Sequence, residues 1–354
     1  MKAESKNIIY RVMSKTIYYL GAGASFGRRD NEGKVLEGIP VVSEIPSHFD
    51  AFRDYIAKAV IPDGLITFNN YINSSSSDVE REKMMLLEDI DGLKDKIQEH
   101  ATIDTYARKL YLTGNKREFA KLKDVLCLFF IWEQLENKPD NRYDTFFANV
   151  LQMQTLALPK ELSIISWNYD SQLEIAYKAY NRKGELPIFE KNIVNQWPDL
   201  PVFGRVFKVN GSATFADKTI IPWIQEDLNS TAAVQLIQYY TYVRSDTSSM
   251  GFQFKTHLSF AWEDSPNNHK MRDSIVATIQ DTEQVVVIGY SFPFFNRETD
   301  REIFRGMTNL KKIYVQDIKP ESVILSLAAV LPLDNRIKVI SVQDCAQFYL
   351  PPEL

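Results

Sequence analysis

Residues 16–25 read Thr-Ile-Tyr-Tyr-Leu-Gly-Ala-Gly-Ala-Ser, an apolar run that passes directly into a glycine-rich turn. Gly21 and Gly23 permit a tight turn and let a phosphate approach the backbone, and a helix start behind them would offer free N–H groups. The spacing is shorter than the full G-x-G-x-x-G fingerprint, and such turns are common in α/β proteins. The segment therefore predicts a phosphate-binding loop, with a plain structural turn as the alternative.

A second group of polar side chains follows the apolar run Leu162–Ser166. Asn168 and Asp170 stand two residues apart, so both project from the carboxyl end of a predicted strand, where open α/β sheets bind their ligands. Asp170 taken alone is explained at least as well as the cap of the helix that follows it.

Three further apolar runs also end in glycine or a polar residue. They lead into Asn210-Gly211-Ser212, Gly289-Tyr290-Ser291 and Asp317. An acidic residue at a strand end, such as Asp317, can accept hydrogen bonds from ribose hydroxyls. Parallel strands would bring all five ends to one edge of the sheet, so we expect a polar, glycine-rich and concave rim there.

Six short apolar runs alternate with helical stretches along the chain, and this pattern predicts an α/β fold. We expect a Rossmann-like, doubly wound and mostly parallel sheet. The predicted strands are Ile17–Leu20, Leu162–Ser166, Arg205–Val209, Val285–Gly289, Lys312–Gln316 and Ile337–Ser341, and the helices after them include Ser171–Asn181, Arg297–Thr308 and Pro320–Val330.

One long segment interrupts this alternation. From about Val79 to Leu156 the apolar residues recur at spacings of three and four, which is typical of helices. We therefore predict a helical subdomain at residues 73–156, inserted between residues 1–72 and 157–354 of a nucleotide-binding domain. Its aromatic residues, including Phe129 and Trp132, are expected to form its own core, and its surface is expected to contact another copy or a partner protein.

Composition excludes several classes of protein. The 354 residues carry 41 Lys and Arg against 46 Asp and Glu, a net charge of -5, so nothing favours direct binding to nucleic acid. Two cysteines, Cys127 and Cys345, cannot form a four-thiolate zinc site or a disulfide framework. We expect a cytoplasmic protein without a membrane span or a metal.

Five short segments resemble, in the same order, motifs of the sirtuin superfamily, and more specifically of the sirtuin-like domains of bacterial antiphage defence proteins that bind or cleave NAD. The resemblance covers most of Ile17–Lys319. The segments are Gly21-Ala22-Gly23-Ala24-Ser25, Gly38-Ile39-Pro40, Trp167-Asn168-Tyr169-Asp170, Lys208-Val209-Asn210-Gly211-Ser212 and Val287-Ile288-Gly289-Tyr290-Ser291. They look like the family's Gly-Ala-Gly-(Ala/Ile)-Ser, Gly-Ile-Pro, Thr-x-Asn-(Tyr/Ile)-Asp, Lys-Leu-His-Gly-Ser and Ile-Gly-Tyr-Ser.

This resemblance implies an NAD+ hydrolase of antiphage defence, with NAD or an ADP-ribose-type nucleotide as substrate or ligand and a homo-oligomer or partner defence protein as the assembly. It implies that Asn168 orients the ribose or the attacking water, that Asp170 binds the carboxamide or stabilises positive charge on the ribose, and that Asn210 holds a water or a ribose hydroxyl. The expected nucleotide contacts are Gly21, Ala22, Gly23, Ala24, Ser25, Pro40, Gly211, Ser212, Gly289, Tyr290, Ser291 and Asp317.

Two departures from the family pattern limit what the resemblance implies. Asn210 stands where the family has its catalytic histidine, and an amide does not titrate, so it cannot act as a general base. The four-cysteine zinc ribbon of the deacetylase branch is missing as well. Protein deacetylation is therefore not expected.

Three functions remain open on the sequence. The first is a hydrolase that cleaves NAD, and the second is a sirtuin-like module that binds a nucleotide or builds an oligomer without turnover. The third is a dehydrogenase-type enzyme outside the family. The third is disfavoured because no acidic residue ends a second predicted strand about 20 residues after the glycine loop.

Overall fold

The computed structural model describes residues 15–62, 76–100, 102–180, 205–215, 232–244, 256–332 and 336–354. The strands within these ranges are β1 (Thr16–Leu20), β2 (Arg28–Arg29), β3 (Val35–Glu37), β4 (Leu162–Ser166), β5 (Arg205–Lys208), β6 (Gly211–Phe215), β7 (Thr256–Leu258), β8 (Gln284–Ile288), β9 (Lys312–Gln316) and β10 (Lys338–Val342). The α-helices are α1 (Ile45–Ala57), α2 (Ser76–Gln98), α3 (Ile103–Leu112), α4 (Lys116–Glu136), α5 (Asn141–Val150), α6 (Gln172–Lys178), α7 (Ala232–Arg244), α8 (Pro266–Ile279), α9 (Arg297–Gly306) and α10 (Pro320–Ala328).

Six of the strands form one parallel sheet in the order β10-β9-β8-β1-β4-β5. The prediction of a Rossmann-like, doubly wound sheet is confirmed, and each predicted strand matches an observed one to within one residue at either end. The chain runs outward from β1 to β4 and β5, returns to β8 on the other side of β1, and runs outward again. The strand order therefore reverses between β1 and β8.

Alternate side chains of the strands pack on opposite faces of this sheet, as the pleat requires. Tyr19 and Val287 belong to an apolar cluster with helices α8, α9 and α10. Tyr18 and Val286 belong to another cluster, with helices α5 and α6 and the ring of Phe348. Because both faces are covered by helices, the central strands β1, β4 and β8 are buried along their whole length.

A third apolar cluster holds most of the helices that lie between β1 and β4 in the chain. It joins α2, α3 and α4 to α1, to α7 and to the short β6–β7 hairpin, whereas α5 packs on the sheet. Phe129 and Trp132 are buried, so the expectation that they form core is confirmed. The run of serines flanked by Asn73 and Asp78 has no apolar anchor, and this composition predicts a surface loop. Ser76–Asp78 lie instead in the first turn of α2, and Asn73–Ser75 fall outside the described residues.

None of the helices in the described ranges combines the length and the apolar composition needed to cross a membrane.

A buried carboxyl joins the two central strands to helix α9. Asp300 is fully buried and accepts a hydrogen bond of 2.5 Å from the hydroxyl of Tyr19 in β1 and one of 3.1 Å from the hydroxyl of Tyr290, which follows β8. Burial raises the pKa of Asp300 to about 7, although the two hydroxyls favour its ionised form.

This raised pKa predicts how stability depends on pH. Below the ordinary pKa of an aspartate the carboxyl is neutral in both the folded and unfolded states; as pH rises towards 7 only the unfolded state ionises, so folding loses free energy. The free energy of unfolding of the wild type, relative to that of Asp300→Asn, should fall between about pH 4 and pH 7 by up to about 4 kcal/mol. Urea unfolding of both proteins across this range measures the difference, and a constant difference would contradict the assignment.

Candidate functional site

The candidate site lies where the strand order reverses, at the carboxyl ends of β1 and β8. In open α/β sheets this point leaves a crevice, because the connections from the two strands leave in opposite directions. The glycine loop Gly21–Ser25 follows β1 here, and Gly289–Ser291 follows β8. The topology thus brings together two of the predicted strand ends, and β9 adds Asp317 beside them.

The two glycine turns pack backbone against backbone. A Cβ added to Gly23 would stand 2.7 Å from the Cα of Gly289, and one added to Gly289 would stand 2.4 Å from the Cα of Gly23. A Cβ on Gly21 would meet the carbonyl oxygen of Gly289 at 2.5 Å. Real side chains do not approach this closely, and Gly289 also has a φ of +58°. The glycines are therefore required by the contact between the loops.

Most N–H groups of the glycine loop are engaged within the protein. Gly21 and Gly23 donate to the carbonyls of Ile288 and Gly289, each at 3.0 Å, while Ala24 and Ser25 close a short 3-10 turn. The N–H of Ala22 has no hydrogen-bond partner among the residues that the structure describes. One donor of the loop is thus left for a ligand.

A cleft of about 1470 Å³ opens above these turns. Its floor is the carboxyl edge of β1, β8 and β9, with Ala22, Gly289 and Asp317 at its surface. Its walls are formed by four stretches of chain, whose lining residues are Glu37, Val41–Ser43 and Pro46; Ile97, Gln98, His100 and Thr102–Thr105; Asp140–Arg142; and Cys345–Gln347. Small-molecule pockets usually measure roughly 300–1,000 Å³, so this cleft has room for a dinucleotide.

The predicted nucleotide contacts divide into two groups in the structure. Five of them line the cleft: Ala22, Gly23, Gly289, Ser291 and Asp317. The other seven do not line it and are buried beside or beneath it: Gly21, Ala24, Ser25, Pro40, Gly211, Ser212 and Tyr290. Their roles as contacts stay predictions, whereas the structure gives several of them a clear packing role.

Ser25, the last residue of the glycine loop, forms the centre of a buried polar network. Its hydroxyl donates to the carboxylate of Asp170 at 3.1 Å and accepts from the amide of Asn168 at 3.1 Å. The hydroxyl of Tyr143 lies 2.9 Å away on the third side. Asn168 and Asp170 are therefore brought together, as their spacing predicted, but they hold the loop from below and are not exposed in the cleft.

Asp170 also receives contacts that fix the start of helix α6. Its carboxylate accepts from the N–H of Gln172 at 2.9 Å, and its carbonyl accepts from the buried ammonium of Lys208. The same ammonium lies 3.4 Å from the carboxylate of Glu174, whose pKa is raised by burial. The capping alternative for Asp170 therefore describes a contact that is present.

Asn210 is engaged in two main-chain hydrogen bonds. Its amide nitrogen donates to the carbonyl of Trp167 at 2.9 Å, and its amide oxygen accepts from the N–H of Ala261 at 2.9 Å. The side chain is buried and does not line the cleft. Asn210 thus joins the loop after β4 to the segment after β7, so its amide has a structural role that needs no ligand.

The chain after β8 follows an unusual path that brings aromatic rings to the site. Phe292 has a φ of +53°, a conformation that is costly for a bulky residue. Its ring is buried and stacks on Tyr19 at 6.0 Å, so packing holds the residue in place. Phe294, two residues later, is 75% exposed at the edge of the cleft.

Charged groups of the cleft are mostly paired with one another. Arg28 forms an ion pair of 2.7 Å with Glu37. Arg142 donates to the carboxylate of Asp140 at 2.5 Å and to the carbonyl of Gly23 at 2.8 Å, so it also holds the glycine loop. No group of three or more metal-ligating side chains is found within the described ranges.

Sequence reasoning missed the residues that lie near the end of α2, at the start of α3 and in α5 and that line the cleft. Arg142, Asp104, His100 and Thr102 all line it, yet none stands at a strand end. The asparagine-and-arginine pair at the start of α5 carries no recognisable motif, and the position of α3 depends on tertiary packing. Only the N-cap of α3, where Thr102 accepts from the N–H of Thr105 at 3.1 Å, could have been found from the sequence.

The bonding of Asn210 changes the expected result of its substitution. Asn210→Ala leaves a buried carbonyl and a buried N–H without partners, each costing about 1–3 kcal/mol, so the variant should be clearly destabilised. Asn210→His, which restores the histidine of the resembling family, should be destabilised too, because a ring must fit a buried amide site. Asn149→Ala, which removes an exposed amide, is the matched control in urea unfolding. Equal stability of Asn210→Ala and the control would refute this role.

Neither a scan against protein-family models nor a search of curated proteins finds a match for this chain.

Proposed function

We propose that this chain binds an NAD-type dinucleotide in the cleft at the β1–β8 crossover and hydrolyses its nicotinamide–ribose bond. The observation that carries the proposal is the position of the cleft, over the glycine loop at the point where the strand order reverses. Nucleotides bind at such points because the strand ends and the adjoining turns offer backbone donors without side chains in the way.

The groups at the surface of the cleft suit different parts of a dinucleotide. The free N–H of Ala22 can donate a hydrogen bond to a pyrophosphate oxygen, and the half-buried carboxylate of Asp317 can accept hydrogen bonds from ribose hydroxyls. Phe294 and Ile318, both more than 70% exposed and both at the cleft, offer apolar surface to a base. Dinucleotide binding accounts for these three features together.

Hydrolysis of NAD needs little from the protein at the leaving group. Nicotinamide is cationic in the substrate and leaves as a neutral molecule, so no acid is required to protonate it. The site must hold the ribose through an oxocarbenium-like transition state and position a water molecule. Asn168 and Asp170 would contribute to this positioning indirectly, since both form a hydrogen bond with Ser25, the last residue of the glycine loop.

A second candidate is a nucleotide-binding module without turnover. Asn210 favours it, because the residue at the family's histidine position is engaged in two structural hydrogen bonds. Action in antiphage defence, assembly into an oligomer and a partner defence protein are implied only by the sequence resemblance and remain predictions.

The binding proposal is tested at Ala22, which lines the cleft and is partly exposed. Ala22→Asp places a negative charge beside the expected pyrophosphate and should weaken ADP-ribose binding at least tenfold, about 1.4 kcal/mol, in isothermal titration calorimetry. Ala22→Asn, of the same size but neutral, is the matched control and should bind more tightly than Ala22→Asp. Equal affinities of the two variants would place the nucleotide elsewhere.

Hydrolysis is tested by incubating the purified chain with NAD and measuring released nicotinamide by chromatography. Asn168→Ala removes a hydrogen bond that holds Ser25 and should lower the rate while the protein stays folded. Nucleotide binding by calorimetry without any nicotinamide release would favour the second candidate.

A further inference from the structure

The end of α2 and the first turn of α3 form one wall of the cleft, and Asp104 is the carboxylate that this wall presents. Asp104 is half-buried, so water and a ligand can reach it.

Asp104 differs from the other carboxylates of the cleft in its lack of partners. Glu37 is paired with Arg28, Asp140 with Arg142, and Asp317 accepts from the N–H of Lys319 at 2.9 Å. Within the described part of the chain, Asp104 has neither a hydrogen bond nor an ion pair. A carboxylate of this kind keeps its lone pairs available for a proton or a hydroxyl group.

The surroundings of Asp104 also place it near the polar loop after β4. Its charge contributes to raising the pKa of Tyr169, after the larger effect of burial. Tyr169 stands between Asn168 and Asp170. Asp104 therefore lines the cleft and interacts electrostatically with the loop that the sequence associates with the ribose.

Burial raises the pKa of Asp104 to about 6. Such a carboxylate is mostly ionised at neutral pH and yet is a stronger base than an ordinary aspartate, which suits general-base catalysis. The neighbouring titratable and charged groups are Tyr169 and, beyond it, Glu263; His100 on the same wall; Arg108, which follows in α3 outside the cleft; and Arg28, Glu37 and Arg142 elsewhere around the cleft.

We propose that Asp104 accepts the proton of the water molecule that attacks the ribose, an inference that rests on the proposed hydrolysis of NAD. The water oxygen forms a bond to the anomeric carbon of the nicotinamide ribose as the carbon–nitrogen bond breaks. The electron pair of that bond leaves with nicotinamide and neutralises its positive charge. The proton of the water passes to the carboxylate of Asp104 and then to solvent, which leaves ADP-ribose.

This assignment accounts for the amide at position 210. Asn210 bridges two loops, so the proton acceptor has to stand elsewhere, and the cleft offers Asp104 from a different part of the chain. His100, whose Nδ1 donates to the carbonyl of Lys96 at 2.7 Å, is the other candidate proton acceptor on this wall.

The test compares nicotinamide release by the full-length wild type, Asp104→Asn and Asp104→Glu across pH 4.5 to 8.5. Asp104→Asn preserves shape and should lower kcat by about 10²–10⁴-fold, with ADP-ribose affinity in calorimetry changed less than threefold. The kcat/KM of the wild type should fall as pH decreases through about 6, and Asp104→Asn should lose this acid limb. Asp104→Glu should recover part of the rate.

Two controls separate the proton acceptor from general charge effects. Glu99→Gln removes a nearby exposed carboxylate, paired with Lys96, that does not line the cleft, and should keep the wild-type rate. His100→Gln should keep the acid limb. Loss of the limb in His100→Gln, or an unchanged kcat in Asp104→Asn, would overturn the assignment while the proposed hydrolysis stands.

The remaining outcomes distinguish this inference from the proposed function. A wild type that binds ADP-ribose but releases no nicotinamide would overturn the role of Asp104 together with hydrolysis and leave the nucleotide site intact. A wild type that neither binds nor hydrolyses would overturn the proposed function itself.

Discussion

The site depends on the contact between the turns that follow β1 and β8. These two strands are neighbours at the centre of the sheet, and their turns meet backbone to backbone at Gly21, Gly23 and Gly289. The N–H groups of Gly21 and Gly23 donate to the carbonyls at the end of β8, each at 3.0 Å, which fixes the floor of the cleft. The cleft walls are supplied by distant parts of the chain, and Arg142 of one wall also bonds to the floor at Gly23.

A layer of buried polar side chains supports this floor. The hydroxyl of Ser25 forms hydrogen bonds with Asn168, Asp170 and Tyr143, so the loop after β1 is joined both to the loop after β4 and to helix α5. Arg142 adds a bond to the carbonyl of Gly23 from the same helix. Such networks contribute to a unique arrangement because each buried polar group left without a partner costs free energy. The residues that position the loop are therefore different from Asp104, the proton acceptor that we propose.

The sequence predicted the sheet well because its signals are local. Runs such as Leu162–Ser166 are short, apolar and bounded by turns, and their alternation with helices leaves few topologies. The rim was predicted less completely. Asn168 and Asp170 do meet, but periodicity cannot tell whether a polar group at a strand end faces the cleft or the layer below it. Asp104 and Arg142 reach the cleft only through the packing of helices, for which no short motif exists.

The close contact of the glycines has a consequence for comparing sequences across evolution. Packing alone requires glycine at positions 21, 23 and 289, whether or not a nucleotide is bound. A descendant of this chain that had lost its ligand would be under selection to keep all three, since any Cβ there would force the two strands apart. Position 22, which lines the cleft and is not a glycine of this contact, would be free to vary. Variation at position 22, more than retention of the glycines, would therefore report that binding had been lost.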